Sequence, residues 1–213
     1  MSTSKGNCFI CGKTAGKVAI KNHILKDYDK GNEDCILLRA EGAYNKGYWL
    51  YFSVSLNAPL SVVDEFLREI WCECCGHLSA FFIGRRELSK TTKLSEFYID
   101  DIILYEYDFG STTEILLTVV DVVSRKKQKE NVQLIARNAP FVFDCNDCNN
   151  PAVYFDIDIG VDYCEQCADN LEDDEMLMPI TNSPRCGVCG YGGELDIWTF
   201  NPEKPFPQPK MSK

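Results

Sequence analysis

Residues 47–71, GYWLYFSVSLNAPLSVVDEFLREIW, predict a β-strand followed directly by an amphipathic helix. The opening part of this stretch, 47–56, is an aromatic and β-branched run, which is typical of a strand. Ser61, with Asp64 three positions later, resembles a capping box and indicates that a helix begins here. A helical apolar stripe follows at spacings of four, three and four residues, formed by Val63, Leu67, Ile70 and Cys74.

The chain after this helix predicts the rest of one sheet. Gly76 is placed to end the helix. Strand-like runs then occupy 77–84, 94–124, with a turn at Gly110–Ser111, and 132–138. Because short turns separate these runs, we predict an α+β fold with a mostly antiparallel sheet and one main packed helix. A small zinc-binding domain built from CxxC knuckles is predicted beside it.

Changes in composition divide the chain into four segments. One CxxC pair and a histidine lie near the N-terminus, three further CxxC pairs follow the predicted sheet, and the end of the chain is rich in proline. The predicted segments are 1–43, an N-terminal CxxC zinc-knuckle segment; 44–140, the central α+β domain; 141–200, a cysteine-rich zinc-binding domain; and 201–213, a Pro-rich disordered tail.

The overall composition and charge of the chain limit the cellular location and the classes of binding partner that we expect. The 213-residue chain has twelve cysteines and a formal net charge of −10. It has no run of about 18 apolar residues and no apolar secretory signal, so we expect a cytoplasmic protein that does not span a membrane. In a reducing compartment, paired cysteines bind metal more often than they form disulfides. An acidic chain is repelled by phosphate backbones, which disfavours nucleic acid as a partner.

The strongest metal motif comprises the pairs Cys145/Cys148 and Cys164/Cys167. Each pair has two residues between its thiolates, so that one tight turn can direct both sulfurs at a single ion. Fifteen residues separate the two pairs, which lies within the usual range for a four-cysteine zinc site. We predict that these four cysteines bind Zn²⁺. A thioredoxin-like redox function would need a βαβ context and would not explain two pairs.

A second zinc site is predicted near the N-terminus, with its ligand set left open. Cys8, Cys11 and His23 resemble half of a zinc finger, with the histidine on a helix. The candidates for a fourth ligand are Asp27, four positions after His23, and Cys35, which lies further along the chain.

The alternative pairs Cys8/Cys11 with Cys186/Cys189. CFICGK and CGVCGY are both CxxCG turns, the kind that pair as two knuckles around one metal. Such a site would join the two ends of the chain and leave His23 as a surface or capping residue. The similarity of the two turns favours this arrangement.

The stretch WCECCGH at 71–77 is interpreted as part of the hydrophobic core. Cys74 lies on the helical stripe, Cys75 ends the same helix, and free cysteine packs as a small hydrophobe. Cys72 lies off the stripe, and His77 follows the helix as a core histidine. The stretch contains no CxxC pair, and vicinal cysteines form a poor disulfide. A metal or thiol-redox role for these residues is kept as the alternative.

Five stretches together resemble a known family. They are YWLYFSVSL, FLREIWCECCGHLSAF, YEYDFGSTTE, LIARN and NSPRCGVCGY. They are similar to the Ri-plasmid open-reading-frame-three-like family, which includes passenger proteins of insertion elements. The resemblance covers 47–138, and the flanking zinc motifs extend it over most of the chain. It implies a compact α+β central domain that includes Cys74, Cys75 and His77, with no assigned biochemical activity.

The chain departs from this family near its metal motifs. Relatives tend to have cysteine at the position of Asp27 and an apolar residue at the position of Cys186. They also often carry another cysteine pair in the segment that reads VYFDIDIGVDY here. The resemblance therefore implies that the site of Cys145/Cys148 and Cys164/Cys167 is retained, and it fits a second site that has been rewired around Cys186.

These features predict a non-catalytic zinc-binding protein that binds another macromolecule, with a protein as the expected partner. The chain has only two histidines and neither a phosphate-binding loop nor a nucleophile elbow, and four-cysteine sites are closed to substrate. We expect one zinc ion, or two if the second site also forms. The alternatives are a nucleic-acid-associated accessory protein of a mobile element, which the family suggests, and a thiol-redox enzyme that uses Cys72, Cys74 and Cys75.

Overall fold

The computed structural model of the chain describes residues 4–27, 31–171 and 174–193. The strands within those ranges are Lys5–Cys8 (β1), Thr14–Gly16 (β2), Glu33–Gly42 (β3), Trp49–Ser55 (β4), Ser79–Ile83 (β5), Arg86–Leu88 (β6), Ile102–Tyr107 (β7), Thr113–Arg125 (β8), Val132–Asn138 (β9), Tyr154–Asp156 (β10), Val161–Tyr163 (β11) and Leu177–Pro179 (β12). The helices there are Lys17–Asp27 (α1), Leu60–Leu67 (α2) and Glu165–Ala168 (α3), with a π-helical turn at Arg68–Cys72 and a 3-10 turn at Leu94–Glu96.

Nine of the described strands form one sheet in the order β2-β1-β9-β4-β3-β8-β7-β5-β6. Every pair of neighbours in this sheet is antiparallel. The other three described strands form a small antiparallel sheet with β10 in the middle. The prediction of a mostly antiparallel sheet is confirmed. The one main packed helix that was expected, α2, is joined by a second, α1, on the opposite face of the sheet.

The central strands β3 and β4 are buried on both faces of the large sheet. Successive residues of a strand point to opposite faces, so Leu38 joins one hydrophobic core and its neighbour Leu37 joins the other. Helix α2 contributes Phe66 to the first core, and α1 contributes Ile20 to the second. Because both faces are covered, the runs 35–38 in β3 and 49–52 in β4 are continuously apolar and do not alternate with polar residues.

The N-terminal segment differs from its prediction as a separate unit. β1 pairs with β9, and β3 lies between β4 and β8 near the centre of the sheet. Residues of 1–43 and of 44–140 therefore share one sheet. The pairing of β1 joins residues at opposite ends of this domain, and such long-range pairing leaves no trace in local periodicity.

The boundaries of the main helix also differ from prediction. α2 begins after Pro59 without a side-chain cap, so the capping box expected at Ser61 is not formed. The helix passes into the π-helical turn that ends at Cys72, and Gly76 lies beyond it. No helix in the described part of the chain has the length and apolar character needed to cross a membrane. The predicted tail, 201–213, lies outside the described residues.

A buried carboxylate, Asp64, links α2 to the sheet. Its Oδ1 accepts hydrogen bonds from Ser79 Oγ at 2.6 Å and Tyr105 OH at 2.8 Å. Its Oδ2 accepts one from Lys90 Nζ at 2.9 Å. Burial alone raises the pKa of Asp64, but these hydrogen bonds and the charge of Arg68 outweigh burial and hold the pKa below its usual value.

Replacing Asp64 with asparagine is expected to lower the free energy of unfolding at neutral pH by about 2–3 kcal/mol, because Lys90 and Arg68 lose a charged partner. The folded pKa lies below the unfolded value, so this stabilisation is present above about pH 4 and is lost as the pH falls through the folded pKa. Urea unfolding of wild type and Asp64→Asn across this range should show the difference shrinking on acidification.

The exposed neighbour Glu65 provides the control for this substitution. We expect Glu65→Gln to change the stability by no more than about 0.5 kcal/mol at any pH. A stability difference for Asp64→Asn that stays constant down to low pH would contradict the assignment of a paired carboxylate.

Candidate metal centres

Three groups of cysteine and histidine side chains come together in the part of the chain that the structure describes. In each group, one candidate ligand atom per residue lies within 4.8 Å of all the others. All twelve cysteines are free thiols. The four-cysteine cluster is Cys145, Cys148, Cys164 and Cys167; the N-terminal cluster is Cys8, Cys11 and His23; and the junction cluster is Cys74, Cys75, His77 and Cys189.

Two turns build the four-cysteine cluster. Cys145 begins the first turn, which closes when the N–H of Asn149, in the left-handed region at φ 59°, donates to the Cys145 carbonyl at 3.0 Å. Cys164 forms the N-cap of the short helix α3 and carries the second pair. The turns lie side by side because the N–H of Asn146 donates to the carbonyl of Asp162 in β11 at 2.9 Å.

The sulfur positions of the four-cysteine cluster suit a tetrahedral ion. Cys148 Sγ lies 3.5 Å from Cys164 Sγ and 3.6 Å from Cys167 Sγ. Zinc–sulfur bonds of about 2.3 Å in a tetrahedral site place the sulfurs about 3.8 Å apart. Backbone hydrogen bonds, the largest effect coming from Cys164, lower the pKa of Cys145 to about 6. The thiolate is the form that binds metal, so this environment favours a ligand at Cys145.

The N-terminal cluster combines the turn after β1 with helix α1. The N–H of Gly12, at φ 75°, donates to the Cys8 carbonyl at 2.8 Å and turns the chain so that both thiols of the pair approach the helix. Cys11 Sγ lies 3.1 Å from His23 Nε2. A cavity of about 70 Å³ adjoins these side chains. The structure thus brings together the cysteine pair and the histidine that the zinc-finger interpretation predicted.

Neither proposed fourth ligand takes a ligand position in this cluster. Asp27 Oδ2 lies 2.9 Å from His23 Nδ1, the nitrogen that does not contact Cys11. Such a carboxylate orients the imidazole of a ligand histidine, and it does not itself bind the ion. Cys35 is buried within β3, where its Sγ lies 3.7 Å from the carbonyl oxygen of Glu33.

The structure does not join the two ends of the chain at one site. Cys8 ends β1, whereas Cys189 lies beside His77 just before β5, and five strands of the large sheet lie between β1 and β5. Cys186 lies in none of the three clusters, and its Sγ accepts a hydrogen bond from the N–H of Thr181 at 3.3 Å. The two CxxCG turns are locally alike, but the sheet holds them apart.

The stretch 71–77 is only partly core. Cys72 is fully buried, in agreement with the prediction, and Cys74 is half-buried against the same core. Cys75 and His77 were wrongly assigned to the core, because both face the exposed Cys189. The sequence held a signal for this cluster, since Cys75 and His77 flank a glycine, but these residues form no CxxC unit and Cys189 is remote from them in sequence.

Comparisons with known proteins add little to this geometry. No family model matches the chain, and no curated protein matches it. Among solved structures it is similar to the protein of unknown function MM3350 from Methanosarcina mazei Go1, with 18% sequence identity and a TM-score of 0.43 over 49% of this chain and 69% of that one. Structural similarity at this level does not indicate a shared fold or function.

Two cysteines outside the clusters should be unreactive in the folded protein. Cys35 and Cys72 are fully buried, and burial raises the pKa of Cys72 far above its usual value and that of Cys35 to about 11. We expect both to be alkylated on the order of 100-fold more slowly than a free thiol at pH 8, because little thiolate is present. Mass spectrometry after timed labelling with iodoacetamide measures the rates.

Cys186, which is half-buried and outside the clusters, serves as the internal control for this labelling and should react earlier than either buried thiol. Unfolding in denaturant should make all three react alike. Rapid modification of Cys72 in the folded protein would contradict its assignment to the core and would favour a thiol-redox enzyme.

Proposed function

We propose that this is a non-catalytic zinc-binding protein in which Zn²⁺ at the four-cysteine cluster folds a small C-terminal domain that binds a partner protein. The observation that carries the proposal is the convergence of Cys145, Cys148, Cys164 and Cys167, whose sulfurs all lie within 4.8 Å of one another. Four sulfur donors select soft or borderline ions and leave no position for substrate, which is the pattern of a structural zinc site.

The small size of the surrounding core supports a structural role for the ion. The hydrophobic cluster around the four sulfurs has only four buried residues, which are Cys145, Tyr163, Cys164 and Ala168. A core of this size does not supply enough apolar burial to fold alone. Where metal ligands come together only in the folded state, the binding energy of the ion becomes folding energy.

A second zinc ion is proposed at the N-terminal cluster. Cys8, Cys11 and His23 offer two sulfurs and one nitrogen, the ligand types that zinc prefers. The contact between His23 Nδ1 and Asp27 is the arrangement that accompanies histidine ligands in many zinc sites. This ion would fasten α1 to the edge of the large sheet. A reducing, cytoplasmic location is proposed as well, because paired cysteines there bind metal more often than they form disulfides.

The charge distribution supports a protein partner over nucleic acid. The net charge is −10, and the basic stretch 125–129 connects two strands of the large sheet, β8 and β9, that are not neighbours. Its first residue, Arg125, is buried and forms an ion pair with Glu33 at 2.9 Å. The stretch 125–129 therefore offers less positive charge for contact with a phosphate backbone than its sequence suggests. A partner with a basic surface would complement this protein.

Zinc content after substitution tests the proposed function. The double variant Cys145→Ser with Cys164→Ser is expected to lose one zinc per chain relative to wild type, because half of the ligand set is removed. Hydrogen exchange should become fast in 145–179, while β3 and β4 keep their protection. Native mass spectrometry and exchange mass spectrometry provide the two measurements.

Cys186→Ser is the matched control, since Cys186 belongs to a CxxC pair but lies outside the three clusters. It should retain the zinc content of wild type. An unchanged zinc content in the double variant would contradict the proposal.

DNA binding separates this proposal from its nearest alternative, an accessory nucleic-acid-binding protein of a mobile element, which the family resemblance suggests. We expect no shift of duplex or single-stranded DNA in a gel assay at moderate salt, because the acidic surface repels phosphate. Tight binding that weakens steeply as salt rises would favour the alternative.

A further inference from the structure

We propose that Cys74, Cys75, His77 and Cys189 form an additional metal site, of the zinc class, that fastens the segment 181–191 to the central domain. We call this segment the strap. The site goes beyond the proposed function, whose zinc ions are held by other residues. The additional site would join residues 74–77 of the central domain to Cys189, which lies more than a hundred positions later in the sequence.

The candidate ligand atoms have the spacing of a coordination sphere. Cys75 Sγ lies 3.8 Å from Cys74 Sγ and 3.9 Å from Cys189 Sγ. His77 Nε2 lies 3.0 Å from Cys75 Sγ and 3.3 Å from Cys189 Sγ. Tetrahedral zinc requires about 3.8 Å between sulfurs and about 3.6 Å between sulfur and nitrogen. Three sulfurs and one imidazole nitrogen form a common structural zinc set.

Local backbone geometry directs the three ligands of the central domain to one point. The π-helical turn Arg68–Cys72 ends α2 just before them, and such turns occur frequently at functional sites. Gly76 adopts φ +84°, and its N–H donates to Glu73 Oε1 at 2.6 Å. Glycine adopts this positive φ without strain, whereas a residue with a side chain would be strained there. The turn at Gly76 brings Cys75 and His77 to the same side.

Cys189 approaches from the strap in a strained conformation. It lies in the left-handed region at φ 52°, between Gly187 at φ 75° and Gly190 at φ 65°. A residue with a side chain seldom adopts this region, and where it does the surroundings must stabilise it. Coordination by Cys189 gives a physical reason for the conformation, which aims its thiol at His77.

The groups around the cluster complete the pattern of a metal site. His77 Nδ1, the nitrogen away from the cluster, lies 3.4 Å from Asp108 Oδ1, as in the carboxylate–histidine arrangement of zinc sites. The guanidinium of Arg185 lies fully buried, 3.6 Å from Cys74 Sγ and 2.8 Å from Asp108 Oδ2. Three thiolates around a divalent ion carry one net negative charge, and Arg185 offsets it.

The strap is already fitted to the central domain by buried hydrogen bonds. Trp71 Nε1 donates to the carbonyl of Asn182 at 3.1 Å, and Ser183 Oγ donates to the carbonyl of Trp71 at 2.6 Å. Asn138 Nδ2 donates to Asn182 Oδ1 at 2.6 Å. These contacts hold the first half of the strap.

At the end of the strap the buried Tyr191 donates its OH to the carbonyl of Ile70 at 3.4 Å, and the metal would hold Cys189 between these two anchors. The chain between His77 and Cys189 forms a loop of more than a hundred residues. Closing this loop costs conformational entropy, which metal coordination would offset.

Metal content of Cys189→Ser, compared with Cys186→Ser, tests the site. The two cysteines belong to the same CxxC pair, but only Cys189 lies in a cluster. Native mass spectrometry should find one metal ion fewer per chain in Cys189→Ser and none lost in Cys186→Ser. Hydrogen exchange in 181–191 should rise in Cys189→Ser alone. The four-cysteine cluster is intact in both variants, so this result does not depend on whether that cluster binds zinc.

The variant His77→Cys keeps the proposal testable if Cys189→Ser folds poorly. A fourth sulfur should retain the ion, and the visible spectrum of the cobalt-loaded protein should shift relative to cobalt-loaded wild type, as expected when nitrogen is replaced by sulfur. Equal metal content in wild type and Cys189→Ser, or an unchanged cobalt spectrum in His77→Cys, would overturn the proposal. A Cys75–Cys189 disulfide in freshly purified protein, seen as a mass two hydrogens lower, would also overturn it.

Asp108→Asn tests the positioning of His77. Loss of the carboxylate should weaken metal binding at this site about 10–100-fold, measured by competition with a chromophoric chelator. Asp100→Asn is the control, because Asp100 is exposed and, like Asp108 at φ 65°, has a positive φ of 72°. Asparagine tolerates this region as aspartate does. Equal affinities in the two variants would contradict a role for Asp108 in orienting the ligand.

Discussion

The strands β3 and β4 are buried on both faces of the large sheet, and this burial dictates how the other elements are arranged around them. A strand with no exposed face must pair at both edges, because its backbone groups cannot reach water. β3 therefore lies between β4 and β8, and β4 lies between β3 and β9. Helices α1 and α2 close the two faces. The turns that carry most of the cysteines are left outside this core.

The environment of each cysteine follows from this arrangement. Cys35 and Cys72 lie inside the domain and pack as apolar side chains. The clusters form where the hydrophobic core ends: beside the edge strand pair β1 and β2, in the small sheet of β10 to β12, and where the strap meets the central domain. Apolar burial is scarcest in the small sheet of β10 to β12, where the hydrophobic cluster has only four buried residues, so an ion bound there would supply stability that packing does not.

The strap carries both a buried charge, Arg185, and a candidate metal ligand, Cys189. Arg185 is fully buried, which is tolerable because it pairs with Asp108 and lies over the ring of Tyr107 at 4.9 Å. Its guanidinium also reaches Thr113 in β8. An element held in this way belongs to the central domain as much as to the C-terminal one. A metal ion in the junction cluster would make that attachment dependent on zinc supply and on thiol oxidation.

Local patterns in the sequence were enough to predict several strands and one of the cysteine clusters. Aromatic and β-branched runs gave the strands at 49–55 and 132–138, and the spacing of Cys145/Cys148 and Cys164/Cys167 anticipated the group that the structure brings together. The other cysteine contacts could not be predicted in this way, because they form between residues that the fold brings together. Cys186 and Cys189 look like one unit in the chain, yet their turn sends the two sulfurs in different directions, and Cys189 reaches His77. Such contacts depend on the order of strands in the sheet, which local spacing does not record.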